Sequence, residues 1–117
     1  MDVSIVVPIH NELENIPRLR EQVTAALDPT GLDYELVLVD DGSRDGSTLR
    51  LRDLAQEDKR VRVIELRRNF GQSAAMLAGI RESNGTYVVT MDGDLQNDPI
   101  DIPRMIEIGR ASCRERV

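Results

Sequence analysis

Four short runs of aliphatic and β-branched residues, each followed by a polar turn and a stretch of helical periodicity, constrain this chain more than anything else in it. The runs are residues 3–7, 34–39, 61–66 and 87–91. Within them apolar residues follow one another rather than alternating with polar ones. Strands covered on both faces read this way, and they belong to parallel sheets. Pro8 is expected to end the first run. Between the runs, Ile16, Leu19, Val23 and Leu27 recur at helical spacing, with Pro17 tolerated in the first turn. Leu51, Leu54 and Ala55 mark a second helix, capped by Asp45 or Ser47. A helix over 72–82 is rich in small residues. Its Ala74, Ala75, Leu77, Ala78 and Gly79 would let it lie close against a sheet. Asp98-Pro99 and Pro103 punctuate the start of a last helix that reaches about Ile108.

The order is therefore βαβαβαβα, an α/β class with helices on both faces of the sheet. Right-handed crossovers make the doubly wound, Rossmann-like form the default. The expected strand order is 3-2-1-4, with the switch point between strands one and four. The loops after strands one, two and four then meet at one crevice, where ligands bind in open sheets of this kind.

Composition narrows the chemistry. A net charge of −6 argues against a nucleic-acid partner, which would call for a basic surface. Cys113 is the only cysteine, so no intrachain disulfide forms and a cytoplasmic setting fits. No apolar stretch approaches the roughly 20 residues of a membrane span. The amino terminus passes straight into a strand without the basic region of a signal peptide.

The fourth run ends in Asp92-Gly93-Asp94-Leu95-Gln96. Two carboxylates one residue apart at a strand end offer hard oxygen ligands suited to Mg²⁺ or Mn²⁺, and through the ion to a diphosphate. An EF-hand is excluded, because its sixth and twelfth positions would be Asn97 and Pro103. An Asp-nucleophile phosphatase of the haloacid dehalogenase type would follow its Asp-x-Asp with Thr or Val, not Leu95-Gln96. Glycine motifs of dinucleotide and P-loop sites are missing. The single histidine, His10, lacks a nucleophile partner for a Ser/His/Asp set and reads as a loop residue.

The other loops leave alternatives open. Asp40, at the end of the second strand, either accepts hydrogen bonds from a base or ribose, or belongs to a strand-to-helix turn. Asn11-Glu12 is either a ribose contact or a polar loop. Arg67 and Arg68 precede a helix amino terminus, where anions bind. They either hold a phosphate or form a solvated loop with Phe70 tucked into the core.

Taken together, Val6-Val7-Pro8-Ile9-His10-Asn11-Glu12, Val39-Asp40-Asp41-Gly42-Ser43-Arg44-Asp45-Gly46-Ser47, Arg68-Asn69-Phe70-Gly71-Gln72 and Met91-Asp92-Gly93-Asp94-Leu95-Gln96-Asn97-Asp98-Pro99 resemble, in order, the donor-binding half of a family 2 glycosyltransferase with the GT-A fold. Asn69-Phe70-Gly71-Gln72 and Asp94-Leu95-Gln96 look like the branch of dolichyl-phosphate mannose synthases and bacterial polyprenyl-phosphate glycosyltransferases. The resemblance implies an inverting, metal-dependent transfer of a sugar from a UDP- or GDP-linked donor to a lipid phosphate, at the cytoplasmic face of the membrane in full-length relatives. It implies that Pro8, Glu12 and Asp40 line the nucleoside pocket and that Asp92 sits by the ribose and diphosphate. Asp94 and Gln96, with Asp92, would hold Mg²⁺ or Mn²⁺, and Asp92 and Asp94 would be the catalytic pair. Asn11, Asp41, Arg68, Asn69 and Gln72 fall in the matching segments and are carried as further donor-binding residues.

Family members continue into an acceptor-binding region. Residues 1–109 are accordingly read as the nucleotide-sugar-binding part of a truncated GT-A domain. Residues 110–117 are read as a non-native or disordered tail. An open sheet edge at strand four predicts poor stability and self-association into homo-oligomers. Two other functions compete: a non-catalytic nucleotide-binding module that keeps the loops for structure, and a phosphotransferase with Asp92 as nucleophile.

Overall fold

The computed structural model describes residues 1–91. Asp92, Asp94 and Gln96, the last helix toward Ile108 and the tail over 110–117 lie outside the described residues. Within them, strands β1 (Val3–Ile9), β2 (Tyr34–Asp40), β3 (Val61–Glu65) and β4 (Tyr87–Thr90) alternate with helices α1 (Ile16–Leu27), α2 (Ser47–Glu57) and α3 (Gln72–Arg81). All strand pairs are parallel and the sheet order is β3-β2-β1-β4, as the sequence predicts.

Strand alternation sorts the core into two layers. Val3, Ile5, Val7 and Ile9 of β1, with Leu36 and Leu38 of β2, pack on Ile16, Leu19, Val23 and Leu27 of α1 and on Leu51 and Leu54 of α2. Removing each such Leu or Ile from water contributes roughly 2 kcal/mol. On the opposite face Val6, Val37 and Val39 meet Ala75 of α3, with Ala78 packed alongside. This second layer is thinner because α3 sits very close. A Cβ on Gly79 would run into the side chains of Val6 and Val39. Leu77 does not share in this contact; at 48% exposure it points away from the sheet.

Pro8 lies inside β1 rather than ending it. The reason is the direction of the ladder. Odd residues of β1 face β2, as the bond from Asp41 N–H to the Ile9 carbonyl shows (2.8 Å). Even residues face β4, as the bond from Met91 N–H to the Val6 carbonyl shows (3.0 Å). The missing N–H of Pro8 falls on the β4 side, beyond the last register pair of Val6 with Thr90. The β1–β2 ladder does not use that N–H, and β1 stays paired with β2 through Ile9.

The amino end of the sheet holds a buried polar cluster. Glu35 of β2 accepts from Ser4 Oγ (2.5 Å) and Asn84 N–H (2.7 Å) on one carboxylate oxygen. Its other oxygen accepts from Arg62 Nη1 (3.0 Å) and Asn84 Nδ2 (3.4 Å). Ser4 Oγ in turn accepts from Gly85 N–H (2.8 Å). The cluster ties the turn between α3 and β4 to the sheet. Burial pushes the Glu35 carboxyl up, but the Asn84, Ser4 and Arg62 donors outweigh it and hold it below its ordinary value.

Candidate functional site

At the other end of the sheet, the loops after β1, β2 and β3 enclose a cavity of about 560 Å³. Its walls include Asn11, Asp40, Arg44, Thr48, Arg68 and Asn69. Asp40 enters from the last position of β2 and is itself buried. One of its oxygens accepts from Ser43 N–H (3.1 Å) and the other from the Thr48 hydroxyl. A carboxylate has about four acceptor sites, so roughly half of its capacity remains for a ligand.

Asp41 follows on the opposite face of the sheet. Its oxygens accept from Phe70 N–H (2.7 Å) and Gly71 N–H (3.1 Å), the groups that lead into α3. The amino terminus of α3 is thus capped by a protein carboxylate. Asp41 thereby takes two N–H groups at the entrance to α3, and Arg67 and Arg68 line the cavity beside it. Phe70 is not tucked into the core. It is 51% exposed, and the Arg68 guanidinium stacks on its ring at 4.8 Å.

Loop crossings are tight. A Cβ on Gly42 would lie 2.5 Å from the Asn69 nitrogen and 2.6 Å from the Arg68 carbonyl carbon, and Gly42 has φ +68°. Only glycine fits both constraints. Asn11 is the one described non-glycine residue with positive φ, at 54°. That conformation lets its N–H donate to Ser43 Oγ (3.0 Å) while its Oδ1 accepts from Arg44 N–H (2.8 Å). Asn tolerates it better than most residues, and such strain clusters at functional sites. Asp45 holds the start of α2: its Oδ1 accepts from Ser47 N–H at 3.0 Å and its Oδ2 from Leu13 N–H at 3.2 Å. Burial raises the Asp45 carboxyl, and the Ser47 and Leu13 donors more than offset it, so the group sits below its ordinary range.

The structure therefore brings Asn11, Asp40, Arg68 and Asn69 to one cavity, and leaves Pro8, Glu12, Asp41 and Gln72 off its walls. Glu12 Oε2 accepts from Asn15 Nδ2 (2.7 Å), which braces the turn into α1. Asp92, Asp94 and Gln96 lie beyond the described residues. Among those described, no group of three His, Cys, Asp or Glu side chains could hold a metal ion.

His10 is the residue that sequence reasoning undervalued. Rather than a mere loop residue, it lines the cavity and bridges three loops. Its Nδ1 donates to the Asp41 carbonyl (2.8 Å), and its Nε2 stands 3.2 Å from Asn69 Nδ2. Asn11 Nδ2 is 3.4 Å from the same Nε2, but the two shorter contacts reach 31 and 59 residues along the chain, so no local pattern announces them.

Comparison with known proteins gives these loops a context. A sequence profile described as glycosyl transferase family 2 matches residues 4–110. An undecaprenyl-phosphate 4-deoxy-4-formamido-L-arabinose transferase of Pseudomonas fluorescens is 49% identical over 106 residues, 90% of this chain and 31% of that protein. A dodecaprenyl-phosphate galacturonate synthase of Rhizobium johnstonii is 49% identical over 107 residues, covering 91% and 32%. The chain thus spans about a third of the length of these relatives. Among solved structures, a mannosyltransferase of Pyrobaculum calidifontis in complex with GDP-Man and Mn²⁺ superposes with TM-score 0.70 at 26% identity, over 79% of this chain and 27% of that one. TarS of S. aureus, residues 1–349 with UDP-GlcNAc, gives 0.69 at 26% identity, over 80% and 27%.

Proposed function

This chain belongs to glycosyl transferase family 2, and on that premise we propose that it forms the donor-binding part of an inverting, metal-dependent glycosyltransferase. The sugar would pass from a nucleoside diphosphate to a polyprenyl phosphate. The observation that carries this reading is the cavity itself. A buried carboxylate with unused acceptor capacity, Asp40, shares a space of about 560 Å³ at the carboxyl ends of β1, β2 and β3 with Arg44 of its own loop and Arg67 and Arg68 of the loop after β3. Asp40 would accept from a nucleoside N–H or O–H. Arg44, Arg67 and Arg68, which also line the cavity, supply donors for its carbonyl or phosphate oxygens. The prenyl-phosphate transferases among the relatives support the lipid-phosphate acceptor, and the ligands of the structural neighbours support a nucleotide-sugar donor.

Pro8 and Glu12, which lie off the cavity walls, would support the nucleoside side from behind, and Asp92 would approach the ribose and diphosphate. The hard oxygens of Asp94, Gln96 and Asp92 suit Mg²⁺ or Mn²⁺, and the Mn²⁺ of one neighbour agrees with that donor chemistry. Bound there, the ion would neutralise charge developing on the departing nucleoside diphosphate. A phosphate acceptor is already anionic, so the protein need not supply a general base. One of its oxygens would bond to the anomeric carbon as the bond to the diphosphate oxygen breaks, a single in-line displacement that inverts the centre. Such an acceptor would bring the whole protein to a membrane surface, for which the cytoplasmic face is the proposed side. No helix among the described residues is long and apolar enough to cross a membrane.

Calorimetric titration with UDP and GDP, each with and without Mn²⁺, tests the reading. Metal-enhanced binding of one nucleotide, lost in Asp94→Ala, is the expected result. Binding indifferent to both metal and Asp94 would replace the enzyme reading with that of a non-catalytic nucleotide-binding module.

A further inference from the structure

The hydrogen bonds around His10 close on themselves. The Asp41 carbonyl can only accept, so the imidazole Nδ1 2.8 Å away carries the proton. In the neutral ring Nε2 is then an acceptor, and it faces Asn69 Nδ2 at 3.2 Å. The Asn69 Oδ1 accepts from Gly71 N–H at 3.0 Å, which agrees with Nδ2 facing the ring and shares the orienting of the amide with His10. The same Gly71 N–H reaches Asp41 Oδ2 at 3.1 Å. The circuit thus leaves Asp41 through its backbone carbonyl, runs through His10, Asn69 and Gly71, and returns to the Asp41 side chain. Asn11 Nδ2 also stands 3.4 Å from Nε2, so two amide donors converge on that nitrogen and both require it unprotonated. A ring proton on Nε2 instead would set two donors face to face at Asn69 and leave the Asp41 carbonyl opposite a bare nitrogen.

We propose that His10 is a positioning residue, held in the Nδ1–H tautomer, that orients the Asn69 amide and fixes the β3–α3 loop as a wall of the nucleotide cavity. The inference rests on the donor-site reading above. His10 takes one of the two hydrogens on Asn69 Nδ2, and turns the amide so that the second is presented to an acceptor on the nucleotide. The ring spans the gap between Asp41 and Asn69, and no side chain with a single polar end can bond to both. Asparagine at position 10 would keep a donor where Nδ1 stands but nothing at Nε2. Glutamine would place an acceptor at the Nε2 position and give up the bond to Asp41.

The test begins with the ligand-free, untagged chain. Because the sequence holds one histidine, a long-range ¹H–¹⁵N spectrum reports on this ring alone. The expected pattern is a protonated Nδ1 and an unprotonated Nε2, with a change in the Nε2 resonance on Asn69→Ala. The opposite tautomer, or no response to Asn69→Ala, overturns the proposal without reference to any ligand. Calorimetry with UDP and GDP in Mn²⁺ follows. His10→Asn should weaken the nucleotide that binds by about tenfold, while His10→Gln should stay within about threefold of the parent chain. Equal losses in the two variants would show that His10 acts in some other way. If the unsubstituted chain binds neither nucleotide, the donor-site reading is what fails, and the tautomer alone decides the positioning role.

Discussion

β2 carries buried carboxylates near both ends, and the two ends use them differently. At the amino end, the four acceptor positions of Glu35 meet four donors from Ser4, Arg62 and Asn84. At the carboxyl end, Asp40 meets two, from Ser43 and Thr48, and faces a cavity. Both groups are 2% exposed, so burial does not distinguish them. Saturation does. A carboxylate whose lone pairs are all filled by its own chain is a fastener, whereas one left half filled beside open space is a receptor.

The sharpest way to break the fastened end is Gly85→Ala. Its Cβ would lie 2.5 Å from Ser4 N and 2.6 Å from Val3 C, against the backbone of a central strand that cannot yield. A loss of about 3 kcal/mol in urea denaturation is expected. A smaller loss would mean that the α3–β4 turn gives way more easily than its contacts suggest.

Glu35→Gln comes next, with about 2 kcal/mol expected, because it turns one filled acceptor into a donor that faces donors. It carries a signature in pH. The folded Glu35 carboxyl titrates below its unfolded value, so its stabilisation is complete above about pH 4.3 and is lost as pH falls through the lower folded value. Acid unfolding of the parent chain should therefore be steeper than that of the variant below that pH. Parallel curves would remove Glu35 from the account.

At the receptor end Asp40→Asn should cost under about 1 kcal/mol in stability, yet weaken nucleotide binding at least about tenfold in calorimetry. A variant that loses stability and keeps its affinity would make Asp40 a fastener like Glu35. The smallest effect is expected from Arg52→Ala. The bidentate pair of Arg52 with Glu65 also stands at this end, but Arg52 is 55% exposed. A change within about 0.5 kcal/mol is expected in the same denaturation assay.

The sheet was legible because burial on both faces writes itself into sequence as unbroken apolar runs, and the strand order follows from right-handed crossovers. Asp40 was legible for a similar reason, since an acid at the end of such a run faces a crevice. The division of labour between neighbours was not. Asp40 and Asp41 are adjacent letters, but strand alternation turns one toward α2 and the cavity and the other toward α3. Glu35 went unremarked because its partners, Ser4, Arg62 and Asn84, come from three separate stretches of chain. Pro8 misled because a strand-breaking rule presumes a missing N–H on a paired side. His10 stayed hidden because its meaning lies in two contacts across the fold, to Asp41 and Asn69.

The unequal thickness of the two core layers bears on how the molecule breathes. α1 and α2 rest on a broad bed of Leu and Ile side chains, whereas α3 rests on three valines through Ala75 and the bare backbone of Gly79. Local opening follows the thinner layer, so amide protons of α3 exchange with solvent ahead of those of α1. The loop of Arg68 and Asn69 opens with that helix, since Asp41 joins them at Phe70 and Gly71. A ligand that grips this wall then slows exchange along the whole of α3, and the helix becomes a gauge of occupancy at a site its own side chains do not line.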